Sequence, residues 1–238
     1  MRSTQELQTQ RDQYLESLRA PVGSLWERAR EASRQLNKEG ISLSPQEGRL
    51  AHFLVSQMAG PCFVEIGTLT GYSALWILQA MKQAFSPSKI DFCTFEKDPT
   101  HAKFAREILS EAKAQWWPEG DAKVEVWEGD ARLKLEDWSK SHPGRSLDGI
   151  LIDGNKSAYL DYLTWAERHL RKGALVLADN VFLRGQVWDT DIEKTFSLKQ
   201  IEIMQRFNER LADPNIYDSV TLPTAEGLTV ARYRLNKL

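Results

Sequence analysis

The chain has 238 residues, of which 42% are hydrophobic and 27% charged, enough for one domain with a sizeable core. Its formal net charge is −2, so no overall positive field attracts nucleic acid, although a local basic patch would be compatible with this value. The N-terminus has no apolar signal-peptide core and no stretch has the ~20 apolar residues of a membrane span, so we expect a soluble, cytoplasmic protein with no membrane partner.

The N-terminal region is predicted to be helical. Residues 5–39 have the pattern of two polar, amphipathic helices separated near Pro21. A third helix is expected to begin after Ser44, because Pro45 suits the first helical position and Glu47 stands three residues after the candidate N-cap. We therefore divide the chain into an N-terminal helical extension, residues 1–40, and a main domain, residues 41–238.

An alternation of strand and helix patterns follows. Strands are expected near 61–66, 90–96, 123–128, 147–153 and 174–178, with helices near 72–85, 99–115, 130–140, 157–171 and 190–212. The segments "IYDSVTL" and "LTVARYRL" then predict two strands joined by a turn, an antiparallel pair at one edge. The predicted fold class is α/β, with a seven-stranded, mostly parallel sheet, an antiparallel C-terminal hairpin and helices on both faces. Cys62 and Cys93 fall in predicted strands and are expected to be buried, reduced thiols.

The stretch "FVEIGTLTGYSALWI" is a strand, a glycine turn and a helix, the arrangement with which open α/β sheets bind nucleotide-like ligands. The turn from Gly67 to Gly71 lacks both G-x-G-x-x-G and G-x-x-x-x-G-K-[ST], which argues against a dinucleotide and a triphosphate. Glu65 precedes the glycines, and an acid there suits a cationic ligand and repels a phosphate. S-adenosylmethionine has an ammonium, a sulfonium and no phosphate, so it is the ligand that this stretch favours.

Two further strand ends support the same ligand. Glu96 ends the second predicted strand, where an acid can accept hydrogen bonds from both ribose hydroxyls. Asp130 and Ala131 follow the third strand and are expected beside the adenine. A single acid at a strand end is more often a helix cap or a solvated residue. Acids at the ends of three predicted strands, Glu65, Glu96 and Asp130, in register with one another, favour a binding site.

A second group of polar residues follows the fourth and fifth strands. Asp153, Asp179 and Asn180 are expected to converge at one sheet edge, where their oxygens would suit a hard divalent cation. Mg²⁺ is the first expectation, with Ca²⁺ or Mn²⁺ as alternatives. The competing interpretation of Asp179 and Asn180 is an Asx turn that caps a helix. Lys156 is a candidate general base, because a divalent cation and a helix N-terminus both disfavour the charged form of a nearby ammonium group.

Three stretches together, "FVEIGTLTGYSALWI", "DGILIDGNKSAYLDYL" and "LRKGALVLADNVFLRGQV", resemble the metal-dependent catechol/caffeoyl-CoA-type O-methyltransferases, a class I S-adenosylmethionine family. The resemblance runs from about Ser42 to Leu235 and includes "SPQEGRLAHFL" and "TLPTAEGLTVARY". It implies a Rossmann-like methyltransferase fold for residues 41–238 and a homodimer. Two positions depart from the family pattern: Asn155 replaces an acid, and Arg184 stands where plant members have an asparagine near the substrate.

The resemblance also implies roles for individual residues. Asp153 and Lys156 would be catalytic, and Asp153 would also belong to the metal and cofactor sites. The metal would be held by Asp153, Asp179 and Asn180. The residues expected to bind S-adenosylmethionine are Glu65, Gly67, Thr68, Gly71, Tyr72, Ser73, Glu96, Asp130, Ala131 and Asp153.

Three functions remain as hypotheses at this point. The first is methyl transfer to a hydroxyl of a small catechol-like or hydroxycinnamoyl-like aromatic acceptor, with Trp188 at the substrate mouth. The second is methylation of hydroxyuridine in transfer RNA, for which a backbone could contact the basic group formed by Arg28, Arg30, Arg34 and Lys38. These four residues also fit a solvated helix face. The third is a cofactor-binding protein without activity, against which the intact acids, lysine and glycines argue.

Overall fold

The computed structural model describes residues 4–19, 22–38, 40–189 and 195–236. The helices are α1 (Thr4–Ser17), α2 (Ser24–Gln35), α3 (Pro45–Val55), α4 (Tyr72–Phe85), α5 (Pro99–Trp116), α6 (Ala131–Ser141), α7 (Tyr159–Glu167) and α8 (Leu198–Ala212). The strands are β1 (Cys62–Ile66), β2 (Ile90–Glu96), β3 (Ala122–Glu128), β4 (Leu147–Ile152), β5 (Leu170–Asp179), β6 (Tyr217–Leu222) and β7 (Leu228–Tyr233). Short 3₁₀ turns cover Lys156–Ala158 and Leu183–Gly185.

The seven strands form one sheet in the order β3-β2-β1-β4-β5-β7-β6. Strands β1 to β5 pair in parallel, whereas β7 runs antiparallel to both β5 and β6. The predicted fold class and the C-terminal hairpin are therefore confirmed. The strand order reverses between β1 and β4, and in such sheets the crevice at this reversal lies beyond the carboxyl ends of the strands.

The start of β5 differs from the prediction. We expected a helix to reach residue 171 and a strand to begin at 174, but α7 ends at Glu167 and β5 begins at Leu170. In the ladder with β4, Leu147 pairs with Leu170, and Gly149 pairs with Leu175, so β5 contains an irregular insertion at this point. Gly173 lies within it with a φ of 83°. The basic residues and glycine of this insertion imitate the end of a helix, which explains the wrong boundary.

Helix α8 begins later than the sequence indicated. It starts at Leu198, because the Ser197 side chain accepts a hydrogen bond from the backbone N–H of Gln200 in a capping box. The predicted first residues, 190–194, lie outside the described residues. The capping box expected at Ser44 and Glu47 is confirmed at the start of α3.

Helix α2 packs against the main domain. Leu25, Trp26 and Ala29 are buried, and the Trp26 ring lies 5.1 Å from that of Trp76 in α4. The predicted break near Pro21 lies outside the described residues. The division of the chain at residue 40 stays a prediction, but the described part of α2 shares its apolar contacts with α4 and α5.

The sheet core is apolar on both faces, as parallel strands require. Strands β1 and β4 are buried along their whole lengths. Cys62 and Cys93 are buried and form no disulfide, as predicted. None of the helices within the described ranges is both long and apolar enough to cross a membrane.

A buried acid joins β4 to its neighbours at the end of the sheet away from the crevice. Asp148 accepts a hydrogen bond from the backbone N–H of Cys62 at 2.9 Å, and its other oxygen is ion-paired with Arg171. Burial raises the pKa of Asp148 above its ordinary value, and the Cys62 N–H and Arg171 oppose this rise. The ion pair therefore offsets a desolvation cost.

We expect Asp148→Ala to lower the free energy of unfolding by about 2 to 3 kcal/mol, because it leaves a buried N–H without an acceptor. The Arg171 side chain is 41% exposed, so the lost ion pair adds less than a fully buried pair would. Urea denaturation measures the change. Asp137→Ala, in exposed pairs with Lys134 and Lys140 at 3.7 Å and 3.6 Å, is the control and should stay within about 0.5 kcal/mol. Equal effects of the two substitutions would contradict the argument.

Candidate active site

A cavity of about 290 Å³, here called the β1 cavity, opens at the carboxyl ends of strands β1 to β4. Most of the residues predicted to bind the cofactor line it: Gly67, Thr68, Tyr72, Ser73, Glu96, Asp130, Ala131 and Asp153. Lys38, Ile41, Ser42 and Leu43 line it as well. Glu65 and Gly71 are not among the lining residues. The structure thus brings together side chains from four consecutive strand ends.

Glu65 lies behind the wall of the β1 cavity, fully buried. Its two carboxyl oxygens accept hydrogen bonds from the hydroxyls of Ser73 and Thr94, each at 2.6 Å. Burial raises the pKa of Glu65 to about 8, and the nearby acids Asp153 and Glu96 contribute to the rise. Glu65 therefore orients Ser73, which does line the cavity.

Glu96 ends β2 with its carboxylate held at both oxygens. Backbone N–H groups of Leu69 and Asp98 donate to these oxygens at 2.8 Å and 2.9 Å, and the ring nitrogen Nδ1 of His101 lies 3.5 Å away. These contacts fix the rotamer of Glu96. The loop after β1 and the start of α5 are thereby joined across the cavity.

The glycines of the first turn are required by its geometry. Gly67 has a φ of 100°, and a Cβ at this position would overlap the carbonyl oxygen of Asp153. Gly71, with a φ of 90°, is the N-cap of α4. Gly67 thus permits the close approach of the loops after β1 and β4, because only glycine adopts this backbone conformation without a side-chain conflict.

Asp130 is a helix cap as well as a lining residue. Its Oδ1 accepts a hydrogen bond from the backbone N–H of Arg132 at 3.0 Å, and Arg132 forms an ion pair with its Oδ2 at 2.7 Å. The hydrogen bonds from Arg132 lower the pKa of Asp130. Ala131, the first residue of α6, is buried beside it.

A chain of hydrogen bonds connects the ends of β4 and β5. Lys156 Nζ donates to Asp153 Oδ1 at 3.1 Å and to the Tyr159 hydroxyl at 2.7 Å. The Tyr159 hydroxyl in turn donates to the backbone carbonyl of Asp179 at 2.8 Å. The predicted residues Asp153, Lys156 and Asp179 are therefore brought together, and Tyr159 links them.

A second cavity of about 530 Å³, here called the β5 cavity, lies at the end of β5. Asp179 and Asn180 line it from the sheet, and Arg30, Ser33 and Arg34 line it from α2. Ile41, Ser42 and Leu43 line both cavities, so the two spaces are adjacent. Asp153 lines the β1 cavity and Asp179 lines the β5 cavity, and the hydrogen bonds through Lys156 and Tyr159 connect them.

A sequence profile described as O-methyltransferase matches residues 19–234 of the chain. The chain belongs to the O-methyltransferase family. A catechol O-methyltransferase from Niastella koreensis is 30% identical over 196 residues, which cover 80% of this chain and 81% of the relative.

Solved structures of O-methyltransferases have the same fold. The O-methyltransferase TomG from Streptomyces achromogenes, determined in complex with SAM, is 28% identical with a TM-score of 0.81, covering 98% of this chain and 100% of the other. The O-methyltransferase from Bacillus cereus, in complex with SAH, is 25% identical with a TM-score of 0.76, covering 94% and 96%.

The donor set of this O-methyltransferase at β4 and β5 fits a hard divalent cation in its chemistry. Burial raises the pKa of Asp179 to about 7, and the charges of Asp153 and Glu47 add to the rise. Burial likewise raises the pKa of Asp153, which Lys156 opposes. The excess of negative charge favours a bound cation. Within the described ranges no three His, Cys, Asp or Glu side chains form a metal-binding group, so a cation held here would need the Asn180 amide as its third donor from the protein.

Asn180 has features of both interpretations given above, an Asx turn and a metal ligand. It has a positive φ of 58°, and its backbone N–H donates to Asp179 Oδ1 at 2.8 Å, as in a local turn. It also lines the β5 cavity. Trp188 is 65% exposed and packs edge-on against Phe182, and it is not among the described lining residues of this cavity.

Several residues of the site were missed by sequence reasoning. They are Thr94, Tyr159, Tyr162, Lys97, His101 and residues 41–43. Thr94 could have been found, because it lies two residues before Glu96 on the same face of β2. Residues 41–43 have no motif of their own, since only tertiary packing brings them to the two cavities.

Proposed function

We propose that the chain binds S-adenosylmethionine in the β1 cavity and transfers its methyl group to a hydroxyl of a small aromatic acceptor in the β5 cavity, with help from a divalent metal ion. The observation that carries this proposal is the hydrogen-bonded group of Asp153, Lys156, Tyr159 and Asp179, which connects a lining residue of the β1 cavity to a lining residue of the β5 cavity. A reacting oxygen there would meet both the methyl donor and the charged residues.

The β1 cavity has residues suited to each of the three parts of S-adenosylmethionine: the methionine, the ribose and the adenine. Ser73, Thr68 and Gly67 would contact the methionine end, and the buried Glu65 would orient Ser73. Glu96 would accept hydrogen bonds from the ribose hydroxyls. Asp130 and Ala131 would flank the adenine. TomG and the Bacillus cereus protein, whose structures were determined in complex with SAM and SAH, support this ligand.

The reaction transfers one carbon. The bond from the methyl carbon to sulfur breaks, a bond from that carbon to the acceptor oxygen forms, and the hydroxyl proton leaves. A phenolic hydroxyl has a pKa of about 10, so ionising it at pH 7 costs about 4 kcal/mol. A divalent cation held by Asp153, Asp179 and Asn180 would supply Lewis-acid polarisation of that hydroxyl, worth several kcal/mol.

The chain's own residues would contribute positioning and the proton path. Rigid placement of donor and acceptor groups on neighbouring strand ends lowers the entropic cost of reaching the in-line arrangement. Lys156 donates both of its hydrogen bonds in the structure, one of them to Asp153. To accept the hydroxyl proton it must release one of them and become neutral. The family relation to catechol O-methyltransferases supports an acceptor with two neighbouring hydroxyls.

A labelled-methyl assay tests the proposal. We expect transfer from S-adenosylmethionine to catechol in the presence of Mg²⁺, and a loss of at least about 100-fold after chelation by EDTA, because removal of a Lewis acid forfeits several kcal/mol. Re-addition of Mg²⁺, Mn²⁺ or Ca²⁺ should restore it to different extents. Full activity in EDTA would contradict the metal role, and failure to methylate any catechol or hydroxycinnamoyl ester would contradict the acceptor class.

Other expectations stay predictions from sequence. A homodimer and a cytoplasmic location are of this kind. The transfer RNA hypothesis loses part of its support, because Arg28 and Arg34 are ion-paired with Glu111 and Glu31 in the structure. Bulk transfer RNA belongs in the assay as a further acceptor.

A further inference from the structure

One arginine of α2 faces the proposed acceptor site without an acidic partner. We propose that the acceptor has a carboxylate in addition to its reacting hydroxyl, and that Arg30 binds this carboxylate in the β5 cavity. The inference rests on the proposed function and names the substrate class of the same site. Arg30 lines the cavity together with Asp179 and Asn180, two of the proposed metal ligands.

The contacts of Arg30 leave its hydrogen-bonding edge available. Its guanidinium carbon lies 4.7 Å from the centre of the Tyr72 ring, over the ring face. This stacking orients the flat group, and a side-chain hydrogen bond with the Tyr72 hydroxyl leaves most of its five N–H donors for other partners. In the described part of the chain Arg30 forms no ion pair. An arginine in this state can give two parallel hydrogen bonds to a carboxylate.

The other arginines of α2 are differently placed. Arg28 is ion-paired with Glu111 of α5 and does not line the β5 cavity. Arg34 lines it, but its guanidinium is 2.8 Å from a carboxylate oxygen of Glu31. Among the arginines in the described part of α2, Arg30 is therefore the one that has no ion-pair partner and could bind an anionic ligand.

Arg30 also stands on a fixed support. The Ser33 and Thr70 hydroxyls are 2.8 Å apart, and Thr70 donates to the backbone carbonyl of Ala29 at 2.8 Å. Both hydrogen bonds are buried and tie α2 to the loop that follows β1. A charged group on a rigid element binds a ligand at less entropic cost than one on a mobile loop.

The β5 cavity is lined by charged groups of both signs. Asp179 and Glu47 are acids among its lining residues, and they suit the metal and the hydroxyl pair. Glu226 is held by Arg184, whose backbone N–H donates to it at 3.2 Å. A neutral acceptor would leave Arg30 half-buried and unpaired, and an ammonium group would be repelled by it. An aromatic diol with a carboxylate offers hydroxyls to the acidic residues and their metal and a carboxylate to Arg30.

An RNA backbone would use the same residues differently. A phosphate chain gains affinity from every basic side chain that it reaches, so Arg28, Arg34 and Lys38 should then matter as much as Arg30. The acids beside Arg28 and Arg34 already neutralise them. If Arg30 alone binds a small anion, only substitution of Arg30 should weaken binding.

The experiment compares 3,4-dihydroxybenzoate with its methyl ester, which keeps the diol and removes the charge. In the wild-type protein with Mg²⁺ and S-adenosylmethionine, we expect kcat/KM for the acid to exceed that for the ester at least about 10-fold. Arg30→Gln should lower kcat/KM for the acid by about 10- to 100-fold, mainly through KM, and change the ester by less than about 3-fold. Arg28→Gln, on the same helix, should leave both acceptors within about 2-fold.

Three outcomes would overturn the inference: equal use of acid and ester by the wild type, an equal effect of Arg30→Gln on both, or methylation of transfer RNA that Arg28→Gln weakens as much as Arg30→Gln does. If the wild type methylates neither diol, the proposed function fails, and calorimetry on the protein loaded with S-adenosylhomocysteine and Mg²⁺ decides the inference separately. Binding of the acid that Arg30→Gln abolishes supports it, and equal affinity for acid and ester refutes it.

Discussion

Replacing Asp179 by alanine is expected to lower methyl transfer by about 10³-fold or more while leaving S-adenosylmethionine affinity within about 3-fold. Asp179 is 4% exposed and lines the β5 cavity but not the β1 cavity, so its loss should affect the acceptor side alone. Without it, the proposed metal keeps one carboxylate and one amide. Several kcal/mol of hydroxyl polarisation should disappear with the ion. Labelled-methyl transfer to catechol and calorimetry with S-adenosylmethionine give the two numbers.

Two other substitutions sharpen this result. Asp153→Ala should also abolish transfer, but it should weaken cofactor binding too, because Asp153 lines the β1 cavity. Lys156→Ala should lose less, and part of its activity should return at high pH, where the acceptor hydroxyl ionises without a base. Asp218→Ala, exposed on β6, is the control. A folded Asp179→Ala protein with more than about a tenth of wild-type activity would refute the metal role, since a tenfold loss is only about 1.4 kcal/mol.

The sequence predicted the parts of this fold that depend on local pattern. Alternating apolar strands and amphipathic helices identify β1 to β4 within one or two residues, and the glycines at 67 and 71 identify the turn that opens the crevice. The acids at strand ends could also be found, because parallel strands bring their carboxyl ends to one edge. None of these inferences needs contacts between distant residues.

The rest depends on packing between segments far apart in sequence. The hydroxyl contact of Ser33 with Thr70 spans 37 residues, and that of Thr94 with Glu65 spans 29. Such pairs become visible only when the strand order and the position of α2 are known. Glu65 illustrates the consequence: the sequence shows an acid at the end of β1, but only the structure shows that the hydroxyls of Ser73 and Thr94 donate to its carboxyl group. The irregular start of β5 was missed for a different reason, since its local pattern imitates a helix end.

Gly67→Ala is expected to weaken S-adenosylmethionine binding by about 100-fold or more and to destabilise the fold as well. At a φ of 100° an alanine is strained by about 1 to 3 kcal/mol, and its Cβ would in addition overlap the backbone of Asp153. Relief requires the loops after β1 and β4 to separate. Gly67 N–H now donates to the Phe95 carbonyl at 3.0 Å, and Asp153 N–H donates to that of Ile66 at 2.8 Å. Moving either loop therefore disturbs these hydrogen bonds and displaces Gly67 or Asp153, which line the β1 cavity.

Gly120→Ala distinguishes the effect of backbone strain from that of the steric overlap. Gly120 has a similar φ of 87°, but a Cβ there would have no neighbour within 4 Å, so this variant has the backbone strain without the overlap. It should lower the free energy of unfolding by about 1 to 2 kcal/mol and leave the dissociation constant for S-adenosylmethionine unchanged. Thermal unfolding and calorimetry on both variants measure the difference. If Gly67→Ala binds S-adenosylmethionine as tightly as Gly120→Ala does, the close approach of the two loops does not shape the cofactor site. Loss of binding in Gly67→Ala alone would identify that approach as the contact on which the β1 cavity depends.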